Sequence, residues 1–376
     1  MTHAHRRLSA TISAGLLVAL LAACTGSGAT SAPQTSVTAA GQSTVSSAPG
    51  QSASTAATCA PGAGGSLAPV SFQLNFTAGG YNAGFALALQ EGYYKDAGLN
   101  VTIVKGTGSG LTAQLVASGQ AGLAYADAIA VMQLIAKGAK MKILSTIYQS
   151  VPNAVTALSS SGIKTFADLK GKTIAEPVGE TPTAVMPILL SANHMTEQDV
   201  KLIPMPGTSM VAALLQHQVD AILGSTDGYN LILAQDNAGP LVTFPFADYG
   251  VGTVSTSIFA SDSFLANNGN TVKCFIQASL KGWDAAIKDN QKAIDDLVKT
   301  FPNDTQPSLN MGQLKAAIQL MCVNGAKYVG KAEPAAWQNT VKIAQQVLKL
   351  PTNLQPTDYY TYDYLPSTLP TSCPIQ

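Results

Sequence analysis

From residue 70 onward the apolar positions change period repeatedly. Residues 70–76 alternate, with Phe72, Leu74 and Phe76 on one side, the period of a half-buried strand. From Asn82, a residue type suited to capping, Phe85, Leu89 and Tyr93 recur four apart. That spacing predicts a helix over about 82–97, with Glu91 and Lys95 as a surface i,i+4 pair and Gly98 at its end. Residues 99–104 alternate again, 106–110 form a glycine-rich turn, and 111–118 predict a short helix. A strand at 123–125, a helix at 128–136 and a strand at 141–148 follow. A second series comprises a strand at 172–175, a helix from near Thr181-Pro182 disturbed by Pro187, and a strand at 200–204. It continues with a helix from Thr208 to His217, a strand at 220–223, a helix from about Tyr229 and a strand at 241–244. Strands and helices alternating through short loops predict an α/β fold, each lobe a doubly wound, mostly parallel sheet.

The two series share a local pattern. Residues 111–127 and 210–226 align at an offset of 99, with apolar residues coinciding at 111/210, 115/214, 116/215, 123/222 and 124/223. Each reads as a short helix, a tight turn and a buried strand, so the chain has two lobes of matched βαβ logic. Beyond residue 256 the pattern turns helical, over 271–288, 291–300, 311–323 and 334–349, and these helices are expected to pack back on the first lobe. The expected divisions are lobe one at 69–152, lobe two at 153–252, the return to lobe one at 253–350 and a proline- and tyrosine-rich tail at 351–376. Two crossings, near 149–158 and 248–256, make a hinge and a cleft.

The chain of 376 residues is long enough for two lobes. It is 46% hydrophobic and only 11% charged, so a buried core is easily supplied. Both arginines, Arg6 and Arg7, lie at the start. Taking them from the 21 basic residues leaves 19 lysines against 21 acids, a net of −2. No basic field exists for nucleic acid, and no guanidinium fork exists to grip a carboxylate or phosphate.

The N-terminus reads as an address. Residues 1–23 combine a positive start with a short apolar run, as a secretory signal does. Leu21-Ala22-Ala23-Cys24 resembles a bacterial lipobox, which makes Cys24 the expected lipidated N-terminus on the extracytoplasmic face of the cell membrane. Residues 25–68 carry no charge and are rich in Ser, Thr, Ala, Gly, Pro and Gln. Such a tether reaches roughly 35–40 Å r.m.s.. Beyond Cys24 stand Cys59, Cys274, Cys322 and Cys373 in an oxidising compartment. Of three possible pairings, Cys274–Cys322 between two C-terminal helices, with Cys59–Cys373, is the expected one. No Cys-x-x-Cys occurs and only His194 and His217 lie beyond the signal, so neither a metal site nor a cofactor is implied.

Ligands of open parallel sheets bind outside the carboxyl ends of the strands. The qualifying loops bring forward Thr77, Tyr81, Asn82, Gly108, Ser109, Tyr125 and Asp127 in lobe one. Lobe two offers Glu176, Gly179, Glu180, Thr181, Asp227 and Tyr229, and Tyr148 with Gln149 stands at the first crossing. Each has a structural alternative: the glycines as turn formers, Asp127 and Asp227 as helix caps, Glu180 as a favourable charge at a helix start, Tyr81 as a rim or core residue. Gly-x-Gly-x-Gly at 106–110 lacks the dinucleotide fingerprint, and Gly-x-Ser-x-Gly is absent.

The run from Asn75 through Tyr81-Asn82-Ala83-Gly84-Phe85, then Glu91-Gly92-Tyr93-Tyr94-Lys95-Asp96-Ala97-Gly98-Leu99, resembles the sulfonate, nitrate and thiamine-pyrimidine-precursor type of solute-binding protein. Supporting pieces are 115–121, 168–175, 219–222 and 358–366, in order along the chain. The resemblance implies a two-lobed type II periplasmic binding protein fold. It also implies a monomer that captures a small molecule and delivers it to an ABC permease with its ATPase. The family's pyrimidine binders often carry a histidine in the first strand–helix loop, and its eukaryotic members that make the pyrimidine consume one. Here Gly79-Gly80-Tyr81-Asn82 stands there, which argues against an enzyme. The expected ligand is a neutral heteroaromatic such as a pyrimidine or flavin precursor. Sulfonate or nitrate capture, a non-transporting sensor or adhesion lipoprotein, and a secreted pyrimidine-processing enzyme are the alternatives.

Overall fold

A computed structural model describes residues 59–369 apart from Gly179 and Gly325. The expected signal, Cys24, most of the tether, and Cys373 lie outside the described residues. Those described fall within one unit, Ala56–Gln376.

The strands in chain order are β1 (Ala68–Gln73), β2 (Leu99–Val104), β3 (Leu123–Asp127), β4 (Met141–Thr146), β5 (Asn153–Leu158), β6 (Thr173–Pro177), β7 (Lys201–Met205), β8 (Ala221–Ser225), β9 (Leu241–Pro245) and β10 (Thr256–Ser261). They form two five-stranded sheets, ordered β2-β1-β3-β10-β4 and β7-β6-β8-β5-β9. In each sheet one strand runs against the others. β10 pairs antiparallel with β3 and β4, and β5 pairs antiparallel with β8 and β9. The chain enters the second sheet directly after β4 and returns directly before β10.

Those two reversed strands are absent from the sequence-based expectation, which reads their segments as crossings or unassigned chain. All six residues of each are buried. A strand covered on both faces has no reason to alternate polar and apolar residues, so period two is missing. The first crossing is correspondingly shorter, residues 147–152, and the second spans residues 246–255.

The helices are α1 (Ala83–Gln90), α2 (Tyr93–Asp96), α3 (Ser109–Ala117), α4 (Ala128–Ala136), α5 (Thr181–Ala192), α6 (Gly207–Leu215), α7 (Tyr229–Gln235), α8 (Asp262–Lys288), α9 (Asn290–Thr300), α10 (Pro307–Met321), α11 (Pro334–Val347) and α12 (Pro356–Tyr359). The single helix expected over 82–97 is two, because Gly92 takes a left-handed φ of 76° between them. α8 begins nine residues earlier than the pattern predicts, with a non-helical residue at Asn268.

Lobe one is held by an aromatic core. Phe72 of β1 lies 4.9 Å from Phe85 and 4.6 Å from Phe275, centroid to centroid, and Phe85 meets Trp283 edge-on at 5.5 Å. Gly84 and Gly282 let α1 and α8 approach this closely. A Cβ on Gly84 would strike the Trp283 ring, and one on Gly282 would strike the Gly84 carbonyl oxygen. α8, α9 and α10 pack on lobe one as expected. α11 instead covers the second crossing, where Val254 N donates to Thr340 Oγ1 at 2.9 Å and Asn339 Nδ2 to Gly252 O at 2.6 Å. The tail is fastened through Tyr362, whose hydroxyl accepts from Trp337 Nε1 at 2.8 Å.

The cysteine pairing departs from expectation. Cys59 bonds Cys274, with Cα atoms 5.3 Å apart. The segment before β1 lies against the end of α2, where Ala60 closely approaches Gly98, and Cys59 packs on the core that contains Cys274. Cys322 is also disulfide-bonded. It ends α10, next to the first crossing, where Gln149 N donates to Leu320 O. The Cys274–Cys322 pairing, and with it Cys59–Cys373, is therefore not the one adopted.

Candidate functional site

β1, β3, β6 and β8 point their carboxyl ends at one region, while the reversed β5 and β10 begin there. The result is a cavity of about 240 Å³ between the two sheets, closed at one side by the α9–α10 segment. Thr77 and Tyr81 reach it from the loop after β1. Gly108 and Ser109 reach it from the start of α3, Tyr125 and Asp127 from the end of β3, and Tyr148 from the first crossing. Lobe two supplies Glu180 and Thr181 at the start of α5 and Asp227 and Tyr229 before and within α7. The structure thus brings eleven of the sequence-derived candidates to one space.

Asn82, Gln149 and Glu176 are not among its lining. Asn82 closes the 3-10 turn Gly80–Asn82 and is buried, without a side-chain bond to the helix it precedes. Gln149 is occupied in fastening the crossing: its Nε2 donates to Thr146 O at 2.9 Å and its carbonyl accepts from Asn324 Nδ2 at 2.8 Å. Glu176 lies within β6, and burial raises its carboxyl, with the charge of Glu197 adding to the shift. Gly179 is outside the described residues.

Other lining groups were not legible. Asn153 and Thr256 are the first residues of the two unrecognised strands, Ser255 precedes β10, and Asn310 and Gln313 come from α10, far along the chain. Only recognition of β5 and β10 could have found the first three.

Asp127 accepts from Ile129 N at 2.8 Å and so caps α4, and it also accepts from Ser255 Oγ at 2.6 Å. Both roles offered by the sequence, cap and cavity group, are filled at once. Burial pushes its carboxyl up to about 6, against the pull of those donors. Asp227 accepts from Tyr148 OH at 3.1 Å, a bond joining the crossing to lobe two, and burial raises its carboxyl as well. Glu180 is pushed up to about 7 by burial, partly offset by Tyr229 OH at 3.4 Å. The phenol of Tyr81 is held high by burial and by the negative fields of Asp227 and Glu180. Its hydroxyl donates to Thr77 O at 3.2 Å.

Three amide oxygens of lining residues, Asn75 Oδ1, Asn153 Oδ1 and Asn310 Oδ1, have no hydrogen-bond partner. Asn310 directs its Nδ2 to Gln313 Oε1 at 2.9 Å, which fixes its oxygen as the free end. Among the described residues no lysine, arginine or histidine lines the cavity. His194 and His217 stand just past α5 and α6 in left-handed backbone, at φ of 60° and 56°. The cavity is a concentration of acceptors and tyrosines, chemistry suited to gripping hydrogen-bond donors.

Two mixed sheets joined by two crossings, with a cleft at the strand ends, define a two-lobed periplasmic-binding-protein fold. The alkanesulfonate-binding protein SsuA from Xanthomonas axonopodis pv. citri, bound to MOPS, has this fold. It is 16% identical at a TM-score of 0.60, over 80% of this chain and 98% of that one. The chain belongs to the NMT1/THI5 like family, whose model matches residues 80–293.

Relatives in sequence include the riboflavin-binding protein RibY of Chloroflexus aurantiacus, 26% identical over 65% of this chain and 69% of its own. The formylaminopyrimidine-binding protein of Halalkalibacterium halodurans is 24% identical over 56% of this chain and 64% of its own. The 4-amino-5-hydroxymethyl-2-methylpyrimidine phosphate synthase THI11 of Saccharomyces cerevisiae is 25% identical over 64% and 72% respectively.

Proposed function

We propose that this protein is an extracytoplasmic solute-binding lipoprotein that closes on a small nitrogen heterocycle and delivers it to an ABC importer. Cys24 carries the lipid, and the tether of 25–68 holds a monomeric binding domain within reach of the permease. The lobe divisions at 69–152, 153–252 and 253–350 are the moving parts. The cargo is a pyrimidine or flavin precursor, a planar ring whose N–H groups meet the carboxylates and free amide oxygens while tyrosines meet its faces.

One observation carries this reading: four carboxylates and three unpartnered amide oxygens line a cleft that, among the described residues, has no basic side chain in its lining. The names of two relatives, a riboflavin-binding and a formylaminopyrimidine-binding protein, support the same ligand class. A sulfonate or nitrate would need compensation for its charge. The one feature favouring an oxyanion is the start of α3 at Gly108–Ser109, and Asp127 stands close by, its own N–H donating to Ser109 Oγ at 3.1 Å. The synthase among the relatives raises an enzymatic reading, which the absence of histidine from the cavity lining disfavours.

Isothermal titration of the full-length protein with aminopyrimidines, riboflavin, alkanesulfonates and nitrate tests the reading. Saturable binding of a heterocycle without turnover supports it. Binding of an oxyanion alone refutes it, and consumption of a pyrimidine reassigns the protein to catalysis. Binding together with undiminished uptake in cells lacking only this protein favours a sensor over a transporter.

A further inference from the structure

The cleft carries more negative charge than a neutral ring requires. Asp127 enters from lobe one and Glu180 and Asp227 from lobe two, and among the described residues no lining cation offsets any of these three; a fourth lining carboxylate, Asp304 after α9, is paired with Lys105 at 2.8 Å. The partners of Asp127, Glu180 and Asp227 are uncharged donors and tyrosines. Asp127 faces Ser255, Thr181 and the first amides of α4. Glu180 faces Tyr229 and lies in the field of Tyr81. Asp227 faces Tyr148 and Ser225, with Tyr125 and Tyr81 in its field. The buried, unpartnered oxygens of Asn153 and Asn310 point to a ligand that brings donors to this space.

We propose that the cleft selects a ligand bearing a positive charge, a protonated amine or a cationic heterocycle, held between Asp127 of one lobe and the Glu180–Asp227 pair of the other. The inference rests on the solute-binding reading and names the charge its ligand must carry. Burying three carboxylates in a poorly solvated cleft is unfavourable without a countercharge. A cation supplies it, so closure is tied to occupancy by the right charge. Tyrosine faces around the cleft add a further attraction for a cation. The same arrangement excludes carboxylates, sulfonates and phosphates.

The test uses two isosteric probes on the full-length protein: 4-amino-2-methylpyrimidine bearing an aminomethyl group, and its hydroxymethyl counterpart. Above pH 7, charge-assisted bonds to the aminomethyl probe should make it bind about 10- to 100-fold more tightly. Glu180→Gln and Asp227→Asn should each narrow the gap, with folding checked by circular dichroism. Its affinity should fall as pH drops through about 7 and about 6, where the Glu180 and Asp127 carboxyls take up protons. On the wild-type protein alone, titration near those values in buffers of different ionisation enthalpy should show proton release on binding.

Equal binding of the two probes, or tighter binding of the hydroxymethyl one, overturns charge selection and leaves heterocycle capture standing. Binding of an alkanesulfonate or nitrate but of neither pyrimidine overturns both readings.

Discussion

Replacing Asp127 by asparagine separates its charge from its hydrogen bonds. The side chain is 5% exposed, caps α4 through Ile129 N and accepts from Ser255 Oγ. Asparagine is as good a cap as aspartate and keeps one oxygen for Ile129 N, while its Nδ2 faces Ser255 Oγ, a hydroxyl that can turn to accept. What it removes is an ionisable group whose folded value lies at about 6 against an ordinary 3.8. The folded protein therefore holds this proton more tightly than the unfolded chain, and stability falls as pH rises through that window. The loss amounts to about 3 kcal/mol, complete above the folded value.

At pH 4 the variant and the wild type should be nearly equal in stability, and at pH 7 the variant should be more stable by up to about 3 kcal/mol. Chemical denaturation of both proteins at several pH values gives the difference directly. Opening the cleft also returns Asp127 to water, so part of the effect should appear as a larger radius of gyration for the wild type at the higher pH. A stability difference that is independent of pH, with the radius unchanged, would refute the argument that burial without a countercharge raises this carboxyl.

Three other perturbations follow from the geometry. Tyr148→Phe removes the 3.1 Å bond to Asp227 between crossing and lobe two and should weaken ligand binding roughly 10-fold with little change in thermal stability, which titration beside thermal denaturation checks. The double change Cys59→Ser, Cys274→Ser opens a bridge between residues 215 apart and should cost about 3–5 kcal/mol in denaturant unfolding. Gly80→Ala drives a Cβ into the Asn310 carbonyl oxygen and should cost about 1–3 kcal/mol while displacing Tyr81 from the cleft, read as lost stability together with lost affinity.

The periodic segments were legible because one face of each is buried and the other is not. Val70 and Phe72 in β1, or Met210 and Leu214 in α6, announce their elements by spacing alone. The site candidates at strand ends were legible for a related reason: once parallel strands are recognised, the loops at their carboxyl ends are fixed, and Tyr81, Asp127, Glu180 and Asp227 fall on them. β5 and β10 were not legible, since a strand buried on both faces carries no alternation, and with them Asn153, Ser255 and Thr256 were lost from the site. Which strand-end residues reach the cavity was also beyond the sequence, as Glu176 of β6 shows by lying outside its lining.

The sequence by itself determined the two α/β series, the shortage of basic residues and the position of every carboxylate along the chain, because these depend on local pattern and composition. Tertiary structure alone decided that Asp127, Glu180 and Asp227, drawn from separate loops, share one enclosed space without a cation. It alone decided that Cys59 meets Cys274 and that Asn310 from α10 closes the cleft. Those outcomes depend on how distant segments pack, and packing is set by the whole chain at once.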